Sequence, residues 1–456
     1  MRSVGVNKSG LAMWSRSGRL PGGGATAYFT GQRHNCMVAE LNTSRIPKVI
    51  LLIESSRASG RALLKGVADY VNQHERWSFY WEPGGLEKAW PTLRTIGADG
   101  IILRYVEKVE EALASGLPAV VIGHRQSEIP GMINVVTDSE AIGRMGAEHL
   151  LHCGFKHFAF CGYSKTSIER TAWSEVRRDF FSQHIREAGF GNPAHHVWSA
   201  IPMDWSNERR LMASWLKSLP QPVGLMACND DCGQRVMDAC KLAGLSVPDR
   251  VGVIGADNDE VVCGLTDPPL SSVVINFERA GYDAAQALDG LMRRSHGVPR
   301  RITVVASHVV ARRSTDFVAA EQPHLAKALQ FIRDQARGNV SVNEVAQAAA
   351  LARRVLEKRF RNLLGRSILQ EIRRVRTEKI ARLLVETELS VAQIADMLEF
   401  SDAQHIARYF RAGKQVSPRS YRNIYGHQRH SVQRSQNGDL FSQNGVAMRE
   451  TKSYKF

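Results

Sequence analysis

The sequence predicts a two-lobed α/β domain followed by an all-α domain that holds two helix-turn-helix units. Three observations carry this. Between about residues 46 and 313, apolar strand-like runs alternate with amphipathic helical stretches in two successive series. Strand-like runs cease near Arg312, and helical periodicity takes over from His324 to Tyr425. Within that helical part the same layout of short helix, tight turn and second helix occurs twice.

The first series opens with Val49-Ile50-Leu51-Leu52-Ile53, a continuous apolar run suited to a strand buried on both faces. A helix follows over about 60–72, with Leu63, Leu64, Val67 and Val71 on one face. Ser78-Phe79-Tyr80-Trp81, Gly100-Ile101-Ile102-Leu103 and Ala119-Val120-Val121-Ile122 read as further strands, with helices at about 86–95 and 106–115. The second series starts after a helix at about 139–152. Its strands are Phe158-Ala159-Phe160, Val223-Gly224-Leu225-Met226-Ala227 and Val251-Gly252-Val253-Ile254, with helices at 172–188, 231–243 and 277–293. Such alternation argues for parallel, doubly wound sheets. Two sets imply two lobes with a cleft between them, and ligands of open α/β sheets sit beyond the carboxyl ends of the strands.

Those strand ends carry polar side chains. Glu54, Ser55 and Ser56 follow the first strand, Asp138 closes Ile133-Asn134-Val135-Val136-Thr137, Asn229-Asp230 follow Cys228, and Asp257 follows Ala256. A sugar hydroxyl both donates and accepts, so planar carboxylates and amides suit it. Trp173, Trp205 and Phe277 are candidate faces for the apolar side of a sugar ring. Taken singly, an Asp or Asn at such a position is more often a helix cap than a ligand contact.

In the helical part, Val342, Val345, Ala346 and Ala349 pattern one helix. A turn at Ala350-Leu351-Ala352 leads to a second helix over about 353–364. Leu356, Phe360 and Leu363 are expected to face inward, which leaves Arg353, Arg354, Glu357 and Arg361 outward. The second unit starts at Ser390, a helix cap, and carries Val391, Ile394, Ala395 and Leu398. It turns at Glu399-Phe400-Ser401 and continues over 402–412, with Ile406 and Phe410 inward and Ala403, Gln404, Ala407 and Arg408 outward. A helix over about 368–386 joins the units. Residues 323–425 hold nineteen Lys/Arg against ten Asp/Glu, within a chain of net charge +15. A basic surface of this kind favours polyanions, and two units of one layout point to duplex DNA rather than to a solvated charged bundle.

Residues 46–311 resemble the effector-binding core of the lactose/galactose repressor family, which has the periplasmic-binding-protein fold. The residues that carry the likeness are Val136-Thr137-Asp138-Ser139-Glu140-Ala141-Ile142-Gly143, the stretch His149 to Gly162, Ala227-Cys228-Asn229-Asp230, Val247-Pro248-Asp249-Arg250-Val251-Gly252-Val253-Ile254-Gly255-Ala256-Asp257-Asn258, and Pro268-Pro269-Leu270-Ser271-Ser272-Val273 with Phe277. The resemblance implies effector contacts at Asp138, Arg177, Trp205, Asn229, Asp257 and Phe277. Glu54 is added from its strand-end position. That family places its DNA-binding headpiece before this domain, whereas nothing before Lys48 reads as a helix-turn-helix here.

Residues 324–424 resemble the AraC-family DNA-binding domain, through Leu356-Glu357-Lys358-Arg359-Phe360, Ser390-Val391-Ala392-Gln393-Ile394-Ala395, and Phe410-Arg411 followed by Ser417-Pro418 and Tyr421-Arg422. The resemblance implies that both second helices enter successive major-groove segments, and the outward positions read above make Arg353, Arg354, Glu357, Arg361, Ala403, Gln404 and Arg408 the expected DNA-contacting set. One departure stands out. The family usually has Gly in the second turn, where this chain has Glu399, and a Cβ is costly at positive φ. A remodelled turn is the expectation. The two domains in this order resemble a group of sugar-operon activators, and Arg312-Arg313-Ser314-Thr315-Asp316-Phe317 resembles their junction.

The reading therefore expects a disordered extension over 1–45 (with Met37 as an alternative start), an effector domain over 46–313, a linker over 314–323, a DNA-binding domain over 324–425 and a disordered tail over 426–456. It expects a cytoplasmic, non-enzymatic homodimer that uses no cofactor, metal or membrane. Its expected partners are operator DNA, a pentose or related sugar and RNA polymerase. A polyol or nucleoside is the alternative effector. Seven cysteines show no Cys-x-x-Cys or zinc spacing and read as reduced, mostly buried thiols. A DNA-repair methyltransferase with a similar head would need a multi-cysteine zinc site, and a transport-type binding protein would need a signal sequence and no basic helical module.

Overall fold

The computed structural model describes residues 45–74, 76–83, 97–104, 114–123, 129, 131–163, 172–198, 204–317 and 322–426. The expected extension over 1–45 except Arg45, the helix at 86–95, most of that at 106–115, and the expected tail over 426–456 except Gly426 lie outside them.

Two parallel sheets form the α/β part. In the first, β1 (Lys48–Leu52), β2 (Ser78–Trp81), β3 (Gly100–Arg104), β4 (Ala119–Ile122), β5 (Ile133–Thr137) and β11 (Arg301–Val304) lie in the order β11-β5-β4-β3-β1-β2. In the second, β6 (His157–Tyr163), β7 (Ala194–Trp198), β8 (Val223–Ala227), β9 (Val251–Asp257), β10 (Ser271–Ile275) and β12 (Ala306–Val310) lie in the order β12-β10-β9-β8-β6-β7. Among the described strands, only β12 runs antiparallel to its neighbour. Ile50, Ile102, Val120, Leu225, Val253 and Ile254 are all but excluded from solvent, as parallel strands covered on both faces require.

The chain crosses between lobes three times: after β5, after β10, and between β11 and β12. Helix α1 (Ala58–Gln73) packs on α7 (Phe277–Met292) against the first sheet. Among the described residues, the domain also holds helices α2 (Ser139–His152), α3 (Ala172–Glu187), α4 (Trp205–Ser218), α5 (Asp230–Ala243) and α6 (Glu260–Leu265). The expected linker does not begin as a free segment. Ser314 and Thr315 are buried: Ser314 donates to Val253 O (2.6 Å), and Thr315 Oγ1 meets His149 Nε2 (2.8 Å). Phe317 packs on Phe155, with ring centroids 4.4 Å apart and tilted by 30°.

Seven helices follow: α8 (Pro323–Asp334), α9 (Val342–Ala348), α10 (Arg353–Leu364), α11 (Ile368–Glu386), α12 (Val391–Met397), α13 (Ala403–Lys414) and α14 (Pro418–Tyr425). Ser341 with Glu344, and Ser390 with Gln393, form capping boxes that start α9 and α12. Leu356 and Phe360 centre one core, and Ile406 and Phe410 centre a second. Helix α11 serves both, with Ile368 and Ile372 in the first and Ile380 and Leu384 in the second.

Leu363 departs from its expected inward position: it is 39% exposed, and Leu364 packs on the core instead. At about 100° per residue the two straddle the stripe of Leu356 and Phe360 at similar angles, so periodicity alone does not separate them.

The second turn keeps its left-handed residue but is one residue longer than the first. Glu399 keeps the left-handed conformation at φ 55°, as Ala350 does at φ 50° in the first turn. Its N–H reaches Asp396 O (3.2 Å), and the loop gains one residue, so that Asp402 caps α13. The strain stays local. Glu399→Gly is expected to stabilise the domain by about 1 kcal/mol, read as a raised denaturant midpoint at unchanged slope.

Candidate functional site

The inter-lobe site is built on strand ends. Glu54, just past β1, pairs with Arg104 at the end of β3, and Arg104 Nη2 donates to Ser59 Oγ (3.2 Å). From the other lobe, Asp257 ends β9 at φ 104° and Asn258 follows at φ 54°. Two consecutive non-glycine residues at positive φ mark a strained turn, the kind that clusters at functional sites. Burial raises the Asp257 carboxyl to about 6, against the lowering pull of Arg177 and Arg104. Arg177 is 2% exposed, donates through Nη1 to Cys228 O (2.5 Å), lies 4.0 Å from Asp257 Oδ1, and covers the Trp173 ring at 4.4 Å.

Among the described residues, direct contacts join the lobes. Arg57 Nη2 pairs with Asp231 Oδ2 (2.9 Å), and Ala58 N donates to Asp259 Oδ2 (2.9 Å). Buried Asp230 braces this side by accepting from Ser272 Oγ (2.6 Å) and Asp259 N (2.8 Å).

Glu54, Arg177 and Asp257 are thus brought together, with Arg104 as the link that sequence reasoning missed. Asn229 is adjacent but buried, and its Oδ1 caps α5 by accepting from Cys232 N (3.0 Å). Asp138 is likewise a cap, for Ala141 N (3.0 Å). Phe277 begins α7 and is 4% exposed within the core. Asp138 and Phe277 lie at crossovers, and no described hydrogen bond or ion pair joins them to Arg177 or Asp257. Trp205 begins α4, 42% exposed, near Trp198 and beneath Arg235.

The arginine-rich surface is built on a repeat. α13 lies fifty residues after α10, and Gly365 and Gln415 end the two helices in the left-handed conformation. Arg353 and Arg354 on α10 match Ala403 and Gln404 on α13. Glu357 matches Ala407, and Lys358 matches Arg408. Arg353, Arg354, Arg361, Gln404 and Arg408 are exposed, while Glu357 and Ala403 are half-buried. Arg353 is steered by Glu357 (2.9 Å) and Asn343 (3.3 Å). Exposed Lys358 and Arg411 complete the matched positions, and the repeat offset was the signal that would have found them.

The crossovers touch the helical domain. Tyr421 Oη donates to Ser307 O (2.8 Å), Asn276 Nδ2 donates to Tyr425 O (2.7 Å), and His308 Nε2 lies 3.4 Å from Glu386 Oε1. Arg366 Nη2 also donates to His152 O (3.0 Å). A cavity of about 270 Å³ lies between the domains, lined by Arg144, His149, Asp316, Arg333, Glu371 and Arg374 among others. Burial pushes the Glu371 carboxyl up, but the Arg374 and Arg366 guanidiniums outweigh it and hold it down at about 2. Burial takes His149 down to about 3, so it is neutral near pH 7.

Among the described residues there is no group of His, Cys, Asp and Glu that could hold a metal, and no helix is long and apolar enough to cross a membrane. The six described cysteines are free thiols.

A periplasmic binding protein-like domain matches residues 147–315, and a helix-turn-helix domain matches 345–424. The xylose operon regulatory protein of Escherichia coli (strain K12) is 29% identical over 83% of this chain and 97% of its own length. The protein of that name from Haemophilus influenzae is 26% identical over 83% of this chain and 99% of its own. The solved structure of the xylose-binding transcription activator xylR aligns over 84% of this chain and all of its own, at 27% identity and a TM-score of 0.54.

Proposed function

This chain is a homologue of the xylose operon regulatory proteins, with their order of effector domain and helix-turn-helix domain; on that premise we propose that it activates sugar-catabolic genes by binding operator DNA under the control of a sugar held between its lobes. Xylose or a related pentose is the first candidate effector. The observation that carries the proposal is the attachment of the helical domain, through Tyr421 and Tyr425 of α14 and Glu386 of α11, to Asn276 at a crossover and to Ser307 and His308 at the start of β12.

In this reading Glu54, Arg104, Arg177 and Asp257 take effector hydroxyls, Trp205 offers a ring face, and Asn229, Asp138 and Phe277 shape the site from behind. Closure of the lobes shifts the crossovers, and with them the second helix-turn-helix unit. A coupling of about 1–3 kcal/mol, or roughly 5–150-fold in DNA affinity, is enough for control. The proposed boundaries are 46–313 for the effector domain, 314–323 for the linker and 324–425 for the DNA-binding domain. A homodimer formed through the effector domains, contact with RNA polymerase and a cytoplasmic location complete the proposal.

Phosphate contacts supply salt-dependent affinity. Arg353, Arg354, Gln404 and Arg408 read base edges, each good contact discriminating by about 1–3 kcal/mol. Arg408→Ala is therefore expected to relax preference at one base pair in a randomised-site selection. A uniform loss on all sequences would make Arg408 a phosphate contact instead.

A further inference from the structure

We propose that Arg235 sets effector specificity within the sugar class by binding a carboxylate on the effector, so that the acid form of such a sugar binds more tightly than the neutral pentose named above as first candidate. The proposal rests on the inter-lobe cleft being the effector site.

Arg235 lies on α5 four residues after Asp231, on the same helix face. Asp231 is the residue that reaches across to Arg57 of the other lobe, so this face borders the cleft. The guanidinium of Arg235 lies over three rings: Trp205 at 4.6 Å, Tyr163 at 5.4 Å and Trp198 at 5.7 Å. Tyr163 ends β6, on the strand-end side of its sheet.

Charge matching singles this residue out. Arg104 has Glu54, Arg57 has Asp231, and Arg177 has Asp257. No acidic side chain among the described residues lies within ion-pair distance of Arg235. Its Nη1 is fully buried and finds no hydrogen-bond acceptor. A cation held half out of water without a counter-charge is costly, and the arrangement makes sense if the ligand supplies that charge.

The geometry also selects the kind of anion. A guanidinium packed among aromatic rings keeps its in-plane N–H groups for an anion, and the buried, unpaired Nη1 is one such group. The planar N–H fork of a guanidinium matches the two oxygens of a carboxylate. The exposed part of Trp205 then lies beside the apolar edge of the same ligand.

The test is calorimetry on the full chain at pH 7 with D-xylose, its acid D-xylonate, and D-glucuronate. The wild type is expected to bind an acid about tenfold or more tightly than xylose. Arg235→Met, which keeps apolar bulk against the rings, should cut the acid-to-neutral affinity ratio by roughly 10- to 100-fold. Arg235→Lys should retain part of it. Thermal melts of both variants establish that they fold. The inference is overturned if xylose binds as tightly as the acids, or if Arg235→Met keeps the preference; the effector reading itself stands in either case. If the folded wild type binds none of the three, the cleft is not a sugar site and both readings fall.

Discussion

Phe410→Ala is expected to cost about 3–5 kcal/mol and to abolish operator binding. Phe410 is fully buried, packs edge-on against Tyr421 at 5.2 Å, and fills the second core between Ile380, Leu384 and Ile406. That core is small, so a loss of this size takes most of its stability. Tyr421 also anchors the unit to Ser307, so the domain contact loosens with it. The effector domain has its own core and keeps its ligand. Calorimetric unfolding should show a low-temperature transition, while sugar affinity stays within a few-fold of wild type. Phe360→Ala, the matched change in the first unit, should behave alike.

Arg177→Leu is expected to abolish the effector response. It removes the cation beside the half-buried Asp257 carboxylate and the donor to Cys228 O. The Asp257 carboxyl sits at about 6 through burial, and Arg177 is the first of the groups that pull it down.

The sign of the pH dependence follows. Because the folded value lies above the unfolded one, the folded state keeps a proton that the unfolded state releases between about pH 4 and 6. Stability therefore falls as pH rises through that window, by about 3 kcal/mol at most, and is level above it. Effector hydroxyls donate to the ionised form, so sugar affinity should fall below about pH 6. In Arg177→Leu both transitions should move to higher pH, which titration of the Asp257 carboxyl by NMR would follow. An unchanged midpoint would mean that Arg177 and Asp257 do not communicate.

How much of this was legible in the sequence depended on burial. β1, β3, β4, β8 and β9 are covered on both faces, so their apolar runs announced them. β7 was missed: it is an edge strand, and Ala194-His195-His196-Val197-Trp198 alternates partly exposed positions with little apolar signal. α4 was missed as well, since Trp205-Ser206-Asn207-Glu208-Arg209-Arg210 opens it with polar residues and its buried face is only Met212, Ala213 and Leu216. β10 begins with Ser271 and Ser272, which are buried yet polar because they bind Thr315 and Asp230. β11 and β12 are short, and they belong to different lobes, a fact that only the three-dimensional crossing reveals.

The site divided in the same way. Glu54 and Asp257 were legible as strand-end carboxylates. Arg104 was not, because an arginine after a strand looks like an ordinary solvated charge until Glu54 is seen across from it. Asp138 and Asn229 were legible as polar positions, but their oxygens serve the helix starts. The two reading helices were legible because their apolar stripes repeat at one offset. The attachment of Tyr421 and Tyr425 to Ser307 and Asn276 was not, since no local pattern links residues more than a hundred positions apart.

Fluorescence anisotropy of the full chain on duplexes from the promoter regions of neighbouring sugar genes, against a random duplex of equal length, tests the central claim most directly. The account predicts tighter binding to one promoter duplex, shifted roughly 5–150-fold by the effector, with a steep salt dependence on both duplexes. Equal affinity for promoter and random DNA, unmoved by any sugar or sugar acid, would contradict it.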